Sequence, residues 1–296
     1  MREVSLYFQS FSIFGAKISA NVNANINVSV KININAIFNI SVYVGITIKG
    51  RSMFTITFAN PKGGSGKTTS AMILAEQIHQ AGATVAILDC DPNHNILQWV
   101  KQREEQGRGV PFVTHAPENE EKFLDTYDAI SDTVDYLIVD LEGTASTLVT
   151  YAVSRSDLVL IPFEPTPMEA RQAARAVQLV RQTGRAMNNR VIPHALVLTR
   201  VNAAFQTSEE KDIRKEMEGA KMPVLATGIV RRAAYTRIFR DGFLLSELLE
   251  QGRDEVKNKT ASQQERILAP LESAIENAKA FTQEVVNHLG QQEAAA

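Results

Sequence analysis

A single cysteine, Cys90, stands in a chain of 296 residues, so no internal disulfide framework is available. Histidine is scarce as well: five are scattered through the chain without the spacing of a metal-binding pair. Charge of one sign is missing. With 31 basic and 33 acidic side chains the formal net charge is −2, which excludes a globally basic nucleic-acid coat and confines any nucleic-acid surface to a local patch. No apolar run reaches the ~20 residues of a spanning helix or the continuous stretch of a secretory signal. These absences describe a reducing, cytoplasmic protein with no membrane segment. What is present is ordinary, with 44% apolar residues, enough for one large domain or two small ones.

The first 52 residues differ from the rest. From Ala20 to Ile48 every even position is apolar and most odd positions are Asn, Ser, Thr or Lys. That is a strand period held about three times longer than an ordinary strand. Two readings are open, a β-ribbon or partner-binding arm, and a low-complexity upstream extension before a start at Met53. The extension is the expectation adopted, with one domain at 53–290 and a disordered tail at 291–296. Residues 1–52 hold five basic groups and one acid, so the remaining 244 carry −6.

After Met53, short apolar runs recur at Phe54 to Ala59, Val85 to Leu88, Tyr136 to Val139, Leu158 to Ile161, Ala195 to Leu198 and Val224 to Ile229. Helical periodicity fills intervening segments such as Thr68 to Gln80, Asn93 to Gln106 and Met168 to Thr183. Continuous apolar strands alternating with helices predict an α/β fold: a doubly wound, mostly parallel sheet with helices on both faces. Ligands of such sheets bind outside the carboxyl ends of the strands, so chemistry is sought just after each apolar run.

Immediately after the first run stands Asn60-Pro61-Lys62-Gly63-Gly64-Ser65-Gly66-Lys67-Thr68-Thr69, followed by a helix. Glycines there let backbone N–H groups close on a β-phosphate, and the helix N-terminus adds positive potential. Lys67 reaches the β/γ oxygens and Thr68 ligates Mg2+. Pro61 replaces the usual first glycine and Lys62 is a second lysine, which makes this the deviant Walker A form. On these residues the segment from Met53 to about Leu249 resembles the ParA/MinD family of deviant Walker A ATPases, P-loop NTPases of the SIMIBI type. Met53 to Thr69 and the spacing of the later motifs are also similar to the VirC-type proteins of T-DNA transfer. The resemblance implies ATP and Mg2+ as cofactors, with Lys62 reaching a partner's phosphates across an ATP-sandwich homodimer; a solvated lysine is the alternative.

After the second run comes Asp89-Cys90-Asp91-Pro92. Phosphoryl transfer needs an acceptor for the attacking water and carboxylates around magnesium's water shell. By resemblance Asp91 takes the first role and Asp89 supports the second, though D-x-D-P also suits a turn that caps the next helix. Cys90 reads as a small packing residue. Asp140 closes the third run with Walker B geometry and holds magnesium through water. The family's cysteine and two prolines are then replaced by Leu141-Glu142-Gly143-Thr144. Glu142 reads either as a water-network residue or as an exposed acid. After the fourth run, Glu164-Pro165-Thr166-Pro167 resembles a proline-marked loop into an interface helix, with Pro167 in its first turn. Asn202, after the fifth run, is a candidate adenine contact or a turn asparagine.

Basic charge gathers in two places. On the helix from Met168, Arg171, Arg175, Arg181 and Arg185 share one sector of about 120° with no acid in it. Arg231, Arg232, Arg237 and Arg240 form a second acid-free run. Both read as phosphate-backbone contacts or as solvated helix faces. The C-terminal helix carries an apolar stripe from Ile267 through Leu271, Ile275, Ala278, Phe281 and Val285 to Leu289. Its polar face holds Glu265, Glu272, Glu276 and Glu284 against Arg266 and Lys279, the wrong sign for an anionic membrane. It is expected to pack on its own domain or across a dimer.

The resemblance implies an ATPase whose ATP-bound dimer binds DNA without sequence preference and associates with the nucleoid. A ParB-like or relaxosome-type protein would stimulate hydrolysis. The task is partition of plasmid or chromosomal DNA, or alternatively conjugative or T-DNA transfer. A nucleotide-gated binding module with negligible turnover is a third reading.

Overall fold

The computed structural model describes residues 26–32, 42–48, 53–143 and 146–293, in two units, 1–51 and 52–296. In the first, β1 (Ile26–Ile32) and β2 (Val42–Ile48) pair antiparallel, Ile26 with Ile48 and Val30 with Val44, even positions with even ones. The rest of the alternating segment lies outside the described residues.

In the second unit the chain runs β3 (Phe54–Phe58), α1 (Lys67–Gln80), β4 (Val85–Cys90), α2 (Asn95–Glu105), β5 (Val113–His115), α3 (Glu120–Ile130), β6 (Tyr136–Leu141) and α4 (Thr147–Ser154). It continues through β7 (Leu158–Phe163), α5 (Pro167–Ala186), β8 (His194–Val201), α6 (Ser208–Gly219), β9 (Ile229–Val230), α7 (Ala233–Asp241), α8 (Leu245–Glu255) and α9 (Ala261–Glu293). The sheet order is β5-β4-β6-β3-β7-β8-β9, and every pair is parallel. Residues at alternate strand positions divide between two cores, as the pleat requires. Leu88, Leu137, Val139, Val159 and Leu196 pack under α3 to α6, while α1 lies on the other side of the sheet, against β3, β4, β6 and β7, and is covered by α9. The sheet is doubly wound, with helices on both faces, and its central strand β3 delivers the glycine-rich loop to the crevice.

Side-chain caps start four helices: Asn119, Ser146, Thr166 and Thr207 each accept from the backbone N–H three residues on. Pro167 occupies the first turn of α5, as its fixed φ favours. Beside the expected strands the sheet gains β5, a three-residue edge piece too short and too polar to stand out as an apolar run. The sixth run is not one strand: Val224 bridges Leu196, and the chain rejoins the sheet only at Ile229–Val230. The reason lies in α9. Glu284 accepts from Ala226 N at 2.7 Å and Thr227 N at 2.8 Å, and Asn277 bonds Val230 N and Gly228 O, so helix side chains satisfy backbone groups that a strand would have paired. The stripe of α9 packs on its own domain, burying Ala274, Ala278, Phe281, Val285 and Leu289 against α1, α7, α8 and β9. The helix reaches Glu293, three residues beyond the expected end at 290; residues 294–296 lie outside the described ones.

The periodicity of α1 did not reveal Glu76. Its buried carboxylate caps α8, accepting from Leu245 N at 2.8 Å and from Ser246 N and Oγ at 2.8 and 2.9 Å. Burial pushes its pKa up while these donors pull it back. Glu76→Ala leaves two helix-terminal N–H groups unpaired in the interior, so stability should fall by about 1–3 kcal/mol. A lower urea midpoint at unchanged slope is the expected observation, and an unchanged midpoint would refute the capping role.

Candidate functional site

The loop between β3 and α1 is held from several sides. Asn60 Nδ2 donates to Pro162 O at 2.6 Å and Asn60 Oδ1 accepts from Lys62 N at 2.9 Å, tying the loop's entry to β7. At its exit Thr199 Oγ1 of β8 donates to Ser65 O at 2.9 Å. Gly64 and Gly66 have φ of +79° and +98°, the left-handed region that glycine enters at no cost. A Cβ at Gly66 would also press on Thr199 at 3.2 Å. Gly63 opens to free space, and Thr68 and Thr69 begin α1, whose first N–H groups face the loop.

Lys67 is buried, and its Nζ donates to Asn60 O at 3.2 Å and Lys62 O at 3.3 Å across the loop. Burial lowers its pKa, while Asp140, Asp91 and Glu142 support its charge. Asp140 has no exposed surface. Its Oδ2 accepts from Thr68 Oγ1 at 2.7 Å, and its Oδ1 is buried with no partner among the described residues. Burial raises its pKa to about 7; the Thr68 hydrogen bond opposes this, Asp89 adds to it and Lys67 opposes it. Because the Thr68 hydroxyl gives its proton to Asp140, its lone pairs remain for a cation. Ser65 Oγ is likewise buried without a partner. These orphaned oxygens fit a phosphate with a hydrated Mg2+. Among the described residues no group of three or more His, Cys, Asp or Glu could hold a metal ion by itself, which suits a cation held mainly by phosphate oxygens and water.

Asp89 lies beside Asp140 in the β4–β6 register, but it serves the capping alternative. Its Oδ2 accepts from Ile96 N at 3.0 Å and Leu97 N at 3.1 Å in the first turn of α2, and its Oδ1 takes Asp91 N at 3.4 Å. Thr68 and Asp140 are the pair whose oxygens meet at the loop. Asp91, half-buried above Asp89, accepts from Asn93 N and Nδ2. Cys90 is buried in the core below, where burial raises its thiol pKa. Asn202 is exposed and its Oδ1 accepts from Ala204 N at 2.8 Å, the turn role.

Lys62 Nζ is paired within its own chain to Glu169 Oε1 in the first turn of α5. Glu169, buried and with Oε2 unpartnered, has no signal in the sequence beyond its place after Pro167. The contacts of three more residues escaped the sequence reading. Glu164 at the end of β7 accepts from Arg200 and lies 3.9 Å from Arg231; Arg200 has φ of +53° and is the extra residue of a bulge facing β9. Gly143 could be found only in three dimensions: a Cβ there would meet Pro61 O at 2.9 Å and Gly63 N at 3.2 Å. Thr144 lies outside the described residues.

The arginine groups separate. On α5, Arg171, Arg175, Arg181 and Arg185 are all exposed, opposite buried Ala173, Ala176, Val177 and Val180. Arg181 donates to Lys221 O. The second run is engaged within the fold: Arg237 and Arg240 both bond Asp241, one residue past the acid-free stretch, and Arg232 bonds Ser273 Oγ. Asp241 sits well below the usual carboxylate range for that reason.

The model of the VirC1 protein family matches residues 53–290. The chain belongs to the VirC1 family. Its VirC1-family body is also 31% identical over 237 residues to Protein ParA of Rhizobium radiobacter, covering 80% of this chain and 98% of that one. Protein virC1 of the same organism is 28% identical over 204 residues, 68% of this chain and 87% of the relative. Among solved structures, a Cyanothece McdA variant in complex with ATP superposes with a TM-score of 0.53 at 18% identity, covering 77% and 97% of the two chains. VirC1-family and ParA-like proteins are P-loop ATPases, and the geometry above has the corresponding loop, hydroxyl and buried carboxylate. Lys67→Ala removes the loop's buried ammonium, the main side-chain counterion for phosphate. Binding of a fluorescent ATP analogue should be lost, and wild-type affinity in this variant would sink the phosphate-loop assignment.

Proposed function

We propose that this VirC1-family chain is a Mg2+-dependent ATPase that dimerises with ATP, binds DNA without sequence preference and is reset by partner-stimulated hydrolysis, as part of DNA partition. The observation that carries the reading is the phosphate loop whose Thr68 hydroxyl is fastened to the buried Asp140. Thr68 and Asp140 would hold Mg2+, which supplies charge neutralisation on the β- and γ-phosphate oxygens. Lys67 binds those oxygens and the loop N–H groups orient them. Asp91, reaching out beyond β4, orients the attacking water. Release of Lys62 from Glu169 frees it for a partner's phosphates. The ParA relative and the ATP-bound McdA neighbour support the nucleotide and the partition task. A second reading, conjugative or T-DNA transfer with a relaxosome-type partner, is favoured by the VirC1 family match itself; neighbouring genes, partition against transfer, separate the two.

DNA is assigned to the α5 face, where four exposed arginines lie opposite the packed side. A dimer doubles that face toward one duplex, so ATP should be required for tight binding. Arg175→Glu should weaken binding to all sequences alike and flatten the salt dependence by about one ion, whereas Arg237→Glu, whose guanidinium is already bonded to Asp241, should act mainly on stability. DNA titrations with ADP and with a nonhydrolysable ATP analogue at two salt concentrations check this; equal affinities for wild type and Arg175→Glu would take DNA off α5.

The working body is residues 53–290, in the cytoplasm. No helix among the described residues is long and apolar enough to cross a membrane. A chain beginning at Met53 contains β3 and every motif and should hydrolyse ATP at the full-length rate; loss of folding on truncation would make the preceding segment structural.

A further inference from the structure

The loop after β6 is where the sequence leaves the family pattern, and the function above makes no use of Glu142. Parallel pairing sets Asp89 beside Asp140 and Cys90 beside Leu141. Asp91 and Glu142 are the next residues of the two chains, each directly after the last paired residue of neighbouring strands, at the carboxyl end of the sheet where Asp140 meets Thr68 and the phosphate loop lies.

Three observations tie this pair to the reaction centre. The backbone that carries Glu142 is fixed: Gly143 is pressed so closely on Pro61 and Gly63 that a Cβ would stand 2.9 Å from Pro61 O. The carboxylates of Asp140, Asp91 and Glu142 all act on the single ammonium of Lys67. Asp140 Oδ1, in the same cluster, is fully buried and unpartnered, an acceptor left open inside a site built for a polar ligand. Glu142 itself is half-buried and makes no hydrogen bond or ion pair among the described residues.

We propose that Glu142 is a positioning residue for the attacking water, the lateral partner of Asp91, so that two carboxylates from adjacent strands hold one water in line with the γ-phosphorus of ATP. This rests on the ATPase reading. The water oxygen forms a bond to the γ-phosphorus as the bond from that phosphorus to the β,γ-bridging oxygen breaks, and the electron pair of that bond leaves with ADP. The proton given up by the water passes to the carboxylate pair and from there to the phosphate product.

The test uses the full chain as wild type, Glu142→Gln, Asp91→Asn and the double variant, with ATP binding and steady-state turnover measured separately. Glutamine keeps the shape and removes the charge. Glu142→Gln should hold ATP affinity within about twofold while kcat falls about tenfold to a hundredfold. The double variant should be no slower than the slower single one, because both side chains act on one water. An unchanged kcat, a loss confined to KM, or a multiplicative loss in the double variant would overturn the assignment. A wild-type chain that binds no ATP brings down the ATPase reading with it, whereas a wild type and a Glu142→Gln variant of equal turnover bring down this one alone.

Discussion

The carboxylate of Asp140 is buried completely at the end of a central strand, with one oxygen on the Thr68 hydroxyl at 2.7 Å and the other unpaired. Such a group is costly to keep in an interior unless charge or hydrogen bonds compensate it. The surroundings divide that task. Lys67, itself buried, stands opposite; α1 begins at the hydroxyl; β6 is locked between β3 and β4, so the strand end cannot tilt away. Burial nonetheless raises its pKa to about 7, against the Thr68 hydrogen bond and the Lys67 charge. The loop, the helix and the strand are in this sense arranged around one buried carboxylate.

The phosphate loop in turn is gripped by elements distant in sequence. Asn60 ties its entry to β7, Thr199 ties its exit to β8, Gly143 presses on its middle, and Glu169 holds Lys62 from α5. The loop thus touches α5, the helix whose outer face carries the exposed arginines, through one ion pair at its first turn.

Much of this could be read in the residues. The apolar runs located the central strands because a parallel sheet covered on both faces has no polar positions to interrupt them, and the carboxylates stood where those runs stopped. The loop's glycines stood where the backbone turns left-handed, at Gly64 and Gly66. What escaped reading had no local pattern. Glu76 is one charged residue in a helix, and only the approach of α8 makes it a cap. Asp89 stood where a carboxylate near magnesium's water shell was expected, and only the approach of α2 makes its Oδ2 a helix cap as well. The arginines after β9 formed an acid-free run in sequence, yet the next residue, Asp241, binds two of them. On α5, by contrast, helical periodicity alone sorted exposed arginines from buried alanine and valine, because a single helix on a sheet leaves little else to decide.

The far edge of the sheet depends on a distant helix. Beyond β8 the backbone from Ala226 to Val230 is satisfied largely by Glu284 and Asn277, which lie some fifty residues further along the chain. Without α9 the amides of Ala226, Thr227 and Val230 would stand bare at the sheet's border, the kind of surface to which another chain adds as a strand. The helix whose stripe covers α1 is thereby also what keeps that border from being adhesive.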